Sequence, residues 1–174
     1  MMQLLMDTPT KNSITTNFKR IIGGYVGSSS GPLLVCIGGI HGNEPAGVLA
    51  LKRVIEKLQS LKPAFKGEFL ALSGNLTALN MGCRFIDHDL NRMWSNEKMA
   101  ALKTGLGENI SEKDEQRELL QLIEEALKRK SGSALFLDLH TTSAPGAPFA
   151  LVSDSLVNRN LALQLSAPLI LGLE

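Results

Sequence analysis

Two histidines and one glutamate are the residues of this chain best placed to do chemistry together. His41 and Glu44 stand three apart in Gly38-Gly39-Ile40-His41-Gly42-Asn43-Glu44, directly after the apolar run Leu33 to Ile37. That run reads as a buried strand, and the change of pattern after it reads as a loop entering a helix. A histidine and a glutamate leaving a strand end in this way can both turn toward one point above the sheet edge, where ligands collect in open α/β sheets. The second signal is Leu135-Phe136-Leu137-Asp138-Leu139-His140, a buried strand that ends on a histidine. Two imidazoles and one carboxylate leave a fourth zinc position open for water, the arrangement of a catalytic rather than a structural site. Taken singly, each residue has a plainer reading. His41 could cap a backbone carbonyl, Glu44 could be a first-turn acid favoured by the helix dipole, and His140 could be a polar strand end. Their occurrence together favours one ion.

Asp138 lies two residues before His140 and so shares its strand face. It either orients the imidazole from behind the metal or satisfies backbone donors at the strand end, and both readings stay open. Thr141, Thr142 and Ser143 follow and are expected to shape the pocket floor. His88 reads as a surface histidine and Trp94 as a packing residue.

The elements that must position these residues follow from periodicity. Ile21 to Val26 reads as a strand, closed by Gly27-Ser28-Ser29-Ser30-Gly31. With Leu33 to Ile37 it is expected to pair as an antiparallel hairpin across so short a Gly/Ser turn. Val48, Leu49, Leu51, Val54, Ile55 and Leu58 recur at helical spacing up to Leu61, with Pro45 suited to the first turn. Glu68 to Leu72 is a further strand, stopped by Gly74-Asn75. Ser95 to Ile110 is polar and glycine-interrupted, whereas Glu112 to Lys130 carries Leu119, Leu120, Ile123 and Leu127 on one stripe between charges, as a surface helix would. Ala134 to Leu139 reads as a central strand covered on both faces. Phe149 to Val152 and Leu169 to Leu171 are strand candidates around a helix from Ser155 to Leu165. Strands alternating with helices predict an α/β sandwich of three layers.

Composition narrows the function classes. The chain has 174 residues, enough for one domain and short for two, so residues 1–174 are read as one domain with 1–19 as an N-terminal extension. Eighteen basic and 17 acidic residues are interspersed, leaving no basic stripe for nucleic acid or anionic lipid. Cys36 and Cys83 are not in a paired spacing, which argues against a disulfide framework or a thiolate metal site. Asp7, Thr8, Pro9 and Lys11 interrupt any leader-like apolar stretch, and no segment has the length of a membrane span, so a cytoplasmic protein is expected. The ending Pro168 to Glu174 reads as a core strand running out to a loop, so the fold is expected to stop before its last strands. Such an exposed sheet edge would favour a homo-oligomer.

Between the two histidine blocks lies Arg84-Phe85-Ile86-Asp87-His88-Asp89-Leu90-Asn91-Arg92. The combination GGIHGNE, then RFIDHDLNR, then DLHTTS resembles the succinylglutamate desuccinylase and aspartoacylase family, relatives of the zinc carboxypeptidases, from about Leu33 to Glu174. The resemblance implies a mixed, mostly parallel sheet and one zinc ion per chain on His41, Glu44 and His140. It implies that Arg84 polarises the scissile carbonyl and that Asn91 and Arg92 hold a substrate carboxylate. The physics of the side chains agrees, because a planar guanidinium suits bidentate carboxylate recognition and a fixed donor suits a developing oxyanion. The competing reading pairs Asp87 with Arg84 and Asp89 with Arg92 as surface salt bridges contributing at most about 1 kcal/mol each.

The resemblance further implies hydrolysis of an N-acyl amino acid or a similar small carboxylated amide. In the family the general-base glutamate lies on a strand beyond the third zinc ligand. After His140 the only acids are Asp154, beside a predicted helix start, and Glu174, so the base is expected to be missing from this chain. A metallocarboxypeptidase acting on peptides and a non-catalytic zinc-binding module are the alternatives.

Overall fold

The computed structural model describes residues 17–104, 109–129 and 132–172. In chain order these form β1 (Ile21–Val26), β2 (Ser29–Gly38), α1 (Ala46–Leu61), β3 (Lys66–Ser73), α2 (Leu76–Met81), a 3-10 turn (Leu90–Arg92), α3 (Asn96–Thr104), α4 (Ser111–Arg129), β4 (Ala134–Leu139), β5 (Ala150–Val152), α5 (Leu156–Ala162) and β6 (Leu169–Leu171). The chain divides into two compact units, one up to Thr141 and one from Thr142.

In the first unit four strands form one sheet in the order β1-β3-β2-β4. β2 runs parallel to both β3 and β4, and β1 runs antiparallel to β3. The sheet is therefore mixed and mostly parallel. The expected hairpin between β1 and β2 does not form, because β3 lies between them. The Gly27-Ser28 turn closes around the start of β3 instead: Gly27 N donates to Gly67 O at 2.8 Å and Ser28 N to Phe65 O at 2.9 Å. A short connection limits distance, not partner, and three-stranded wrapping satisfies the turn's donors with the backbone of β3.

Strand alternation sorts the core into two faces. Leu33 and Val35 of β2 and Leu70 and Leu72 of β3 pack with Leu119 and Ala126 of α4 on one side. Cys36, Phe69 and Ala71 pack with Leu51 and Ile55 of α1 on the other. Helix, sheet and helix make the three layers. β4 differs from the expectation of a strand covered on both faces. It is an edge strand of this sheet, and Phe136 on it is 47% exposed. An unbroken apolar run does not distinguish a central position from an edge, since both demand strand-forming residues.

α4 also departs from a plain surface helix. Its buried stripe begins with polar residues: Glu112, Glu115 and Gln116 are buried along with Leu119 and Ala126. Glu115 accepts from Leu76 N at 3.0 Å, Thr77 N at 2.9 Å and the Thr77 hydroxyl at 2.7 Å, and it pairs with the buried Arg20. It thus takes up orphan donors at the start of α2. Ser95 to Ile110 contains α3, which sequence periodicity does not disclose.

Burial pushes the Glu112 carboxyl up, but the Ile86, His88 and Asp87 backbone donors and Asn75 outweigh it and hold it below the ordinary 4.5. Glu115 is likewise pushed up by burial and pulled below 4.5 by Thr77 and Arg20. Folded values below unfolded ones mean that the stabilisation is fully present above the unfolded value and is lost as pH falls through the folded values. These two carboxylates are accordingly expected to make thermal melts fall steeply below about pH 4.5. Glu115→Gln is expected to lower Tm at neutral pH and to make that acid limb shallower. An unchanged acid limb in this variant would show that Glu115 does not carry it.

The second unit is a small αβ piece. β5 and β6 pair in parallel, and Ser155 caps α5 by accepting from Asn158 N at 3.2 Å. Asp154 Oδ1 is 2.7 Å from Arg159 Nε in the same segment. Among the described residues no helix is long and apolar enough to cross a membrane.

Candidate metal centre

The parallel ladder between β2 and β4 brings the two histidine segments together. Gly38 pairs with Leu139, so the loop after β2 and the residue after β4 leave the sheet side by side. Gly39 has φ +75°, a left-handed conformation that favours glycine and turns the chain into the His41 loop. Ile40 anchors that loop in the core at 3% exposure. Gly42 lies against α2 so closely that a Cβ there would come within 2.1 Å of the Ala78 carbonyl carbon. The loop backbone is thus seated directly on the helix, and Gly42 N donates to Arg84 O at 3.1 Å.

His41, Glu44 and His140 converge, with one ligand atom from each lying within 4.8 Å of the others. Glu44 is the centre. Its Oε1 is 3.0 Å from His41 Nδ1, and its Oε2 is 3.1 Å from His140 Nδ1 and 2.8 Å from Thr141 N. The two rings lie at a centroid distance of 4.9 Å, inclined by 54°. Both histidines therefore turn Nδ1 inward. Each turns Nε2 to a different aspartate: His41 Nε2 is 3.0 Å from Asp89 Oδ1, and His140 Nε2 is 2.7 Å from Asp138 Oδ2.

This donor set fits a divalent cation. With Nε2–H donated to an aspartate, each Nδ1 carries its lone pair toward the Glu44 carboxylate, and three electron-rich donors face one another. A cation among them would convert that repulsion into ligation, and the aspartates behind the rings fix their tautomer and orientation. Without an ion the imidazoles can instead donate from Nδ1, and although burial pushes the Glu44 carboxyl up, the Thr141 N–H and those ring donors hold it below the ordinary value, so it is anionic. The hydrogen bond that His140 donates to the Asp138 carboxylate pushes its imidazole up against the opposing effect of burial. His41 and Glu44 are buried, whereas the His140 side chain is 34% exposed, so the cluster opens on the His140 side.

Arg84 lies at the mouth. Its Nη1 is 3.7 Å from Glu44 Oε1 and its Nη2 is 3.4 Å from Asp89 Oδ2, with half of the side chain exposed. The alternative salt bridges read from local spacing do not form in that pattern. Asp89 meets Arg84 and His41, and Asp87 Oδ2 accepts from Ser111 N at 2.8 Å. Asn91 and Arg92 sit exposed on the 3-10 turn, which Asp89 caps by accepting from Asn91 N at 3.0 Å. His88 is exposed, and Trp94 packs against the core on the α4 side. In the second unit the Thr142 hydroxyl donates to Ala144 O at 2.8 Å.

Asp89 is the site residue that sequence reasoning missed. The signal was available, since a metal-ligating histidine needs an acceptor for its other nitrogen. Asp138 met that demand locally for His140, whereas the acceptor for His41 comes from 48 positions away. An Asp89→Asn variant is expected to bind metal about 10- to 100-fold more weakly while keeping its fold. A titration that found the affinity unchanged would remove Asp89 from the site.

The fold is that of an α/β protein with a His-Glu-His cluster, at the C-terminal ends of parallel strands, that could hold a metal ion. Residues 30–162 match the model of the succinylglutamate desuccinylase/aspartoacylase catalytic domain, and the chain belongs to that family. It is 36% identical over 110 residues to the succinylglutamate desuccinylase of Pseudomonas paraeruginosa, covering 62% of this chain and 30% of that protein. It is 33% identical over 135 residues to an N-acyl-aromatic-L-amino acid amidohydrolase (carboxylate-forming) of Xenopus tropicalis, covering 76% of this chain and 40% of the relative. The chain thus spans about a third of the length of the curated relatives it matches. The solved succinylglutamate desuccinylase from Vibrio cholerae shares the fold at a TM-score of 0.57 and 22% identity, over 75% of this chain and 36% of that one.

Proposed function

We propose that this chain forms the zinc-binding and carboxylate-recognising part of an amidohydrolase acting on N-acyl amino acids or similar small carboxylated amides. The observation that carries the reading is the convergence of His41, Glu44 and His140, each imidazole backed by an aspartate. Zinc suits two imidazoles and a carboxylate, and when bound it supplies Lewis acidity that brings the pKa of water toward neutrality. The chain's own residues supply the rest. The Arg84 guanidinium, beside Glu44 and half exposed, is placed to donate to an acyl carbonyl oxygen as negative charge develops there. Asn91 and Arg92, exposed on the adjoining turn, are assigned to the amino-acid carboxylate.

The acids at the cluster are already committed. Glu44 holds the histidines and Thr141 N, Asp89 holds His41 and Arg84, and Asp138 holds His140. None of them serves as the general base in this reading, so the polypeptide is expected to bind zinc at one equivalent per chain and to turn over substrate very slowly. The same commitment favours a second reading, a zinc-binding module without catalysis. Cys36 and Cys83 are free thiols, which fits our placement of the protein in the reducing cytoplasm.

The test is a zinc titration combined with binding and hydrolysis assays on N-succinyl-L-glutamate and a short peptide. Zinc binding with capture of the acyl amino acid supports the proposal, and capture of the peptide alone would replace it with a carboxypeptidase-like function. Failure to bind zinc would end both readings, and rapid hydrolysis would refute the missing base.

A further inference from the structure

We propose that Glu112, the second residue of α4, is the positioning residue for the segment Arg84–Arg92, its carboxylate taking the place of a bound anion in a nest of three consecutive backbone N–H groups. The proposal rests on the functional reading given above, which assigns Arg84, Asn91 and Arg92 to the substrate. Apart from the 3-10 turn, this segment has no regular secondary structure, so no strand or helix ladder fixes the direction of its side chains. Glu112 supplies what the ladder does not. Its Oε1 accepts from Ile86 N at 2.7 Å, and its Oε2 accepts from Asp87 N and His88 N, both at 3.1 Å. A fourth bond comes from Asn75 Nδ2 at 3.0 Å.

Three features separate this arrangement from an ordinary acid in the first turn of a helix. Glu112 is 0% exposed, whereas first-turn acids favoured by the helix dipole are normally solvated. Its donors come from a loop 24 to 26 positions away and not from the free amides of its own helix. The contact is also reciprocal, because Asp87 Oδ2 accepts from Ser111 N at 2.8 Å while Glu112 accepts from Asp87 N. Successive N–H groups converging on one point form an anion-binding concavity, and here the anion is part of the protein. Asn75 extends the effect, since its Oδ1 accepts from Ala78 N and caps α2, the helix on which Gly42 rests. A single buried carboxylate thus touches both the recognition segment and the support of the His41 loop.

A buried charge is costly unless hydrogen bonds satisfy it, and glutamine offers one acceptor oxygen and an amide that donates toward N–H groups. The test uses the zinc-loaded chain and N-succinyl-L-glutamate as probe. In Glu112→Gln the affinity for the probe is expected to fall at least about tenfold and by clearly more than the zinc affinity, because the zinc ligands themselves lie outside the 84–92 segment and feel it only through Asp89 behind His41. Glu112→Asp, charged but shorter, is expected to fall between. Glu115→Gln is the structural control, lowering Tm without a matching loss of probe binding. Unchanged probe affinity in Glu112→Gln, or zinc and probe affinities falling together in step with Tm, would overturn the proposal.

Amide exchange on the unmodified chain decides the case even if Glu112→Gln fails to fold. Ile86, Asp87 and His88 should be protected as well as the amides of β2 and β3, and exchange at open-loop rates would overturn the proposal. If the unmodified zinc-loaded chain does not bind the probe, the functional reading fails, while exchange at these three amides still decides the role of Glu112.

Discussion

Replacing Glu44 with Gln is expected to weaken zinc binding on the order of a thousandfold, the largest effect of any single substitution at the site. Three consequences combine. The only anionic ligand is lost, both imidazole Nδ1 atoms lose the carboxylate that gathers them, and Thr141 N is left with a weaker acceptor. The glutamine amide would donate where two lone pairs converge, so the variant cannot recover the donor set by rotating. Competition against a chromophoric chelator measures the loss. Melts of both chains in excess chelator should differ little by comparison, which separates loss of ligation from loss of fold. A zinc affinity within threefold of the parent chain would show that Glu44 is not a ligand.

The second large effect is expected from adding one methyl group. Gly42→Ala would place a Cβ 2.1 Å from the Ala78 carbonyl carbon and 2.3 Å from Leu79 N, both backbone atoms that cannot rotate aside. Overpacking against fixed backbone costs about 1–3 kcal/mol, and more when a loop must be lifted. Here the loop that must lift carries His41, and Gly42 N would also lose its bond to Arg84 O. Tm is therefore expected to drop by several degrees and zinc affinity by at least about tenfold. Gly146→Ala provides the control, since a Cβ at Gly146 meets nothing within 4 Å. Equal behaviour of the two alanine variants would mean that the seating of the loop on α2 does not matter to the site.

The parts of this protein legible in its sequence are those where one pattern carries the message. β2 and β4 end on the histidine blocks as expected, α1 follows its apolar spacing, and α4 begins within a residue of its expected start. The illegible parts all depend on partners distant in the chain. The β1–β2 connection looked like a hairpin because a short turn normally joins neighbours, but β3 intervenes and takes both strands. Asp89 looked like a partner for Arg92 because their spacing is local, while the stronger demand came from His41. Glu112 and Glu115 fell among the charges flanking the apolar stripe of an expected surface helix, since hydrophobic periodicity does not register a buried carboxylate satisfied by backbone donors. α2 is six residues long, too short for periodicity to establish, although Asn75 is a good N-cap type.

The pairing of Gly38 with Leu139 sets the order of events as well as the geometry. Before β2 and β4 zip together, the chain offers an ion only the local pair His41 and Glu44, because His140 arrives from 96 positions beyond that glutamate. A register slip of a single residue would carry His140 about 3.3 Å along the strand and point its ring to the opposite side of the sheet. Tight zinc capture should therefore come late in folding, and its appearance in a refolding experiment would serve as a clock for correct alignment of the two strands.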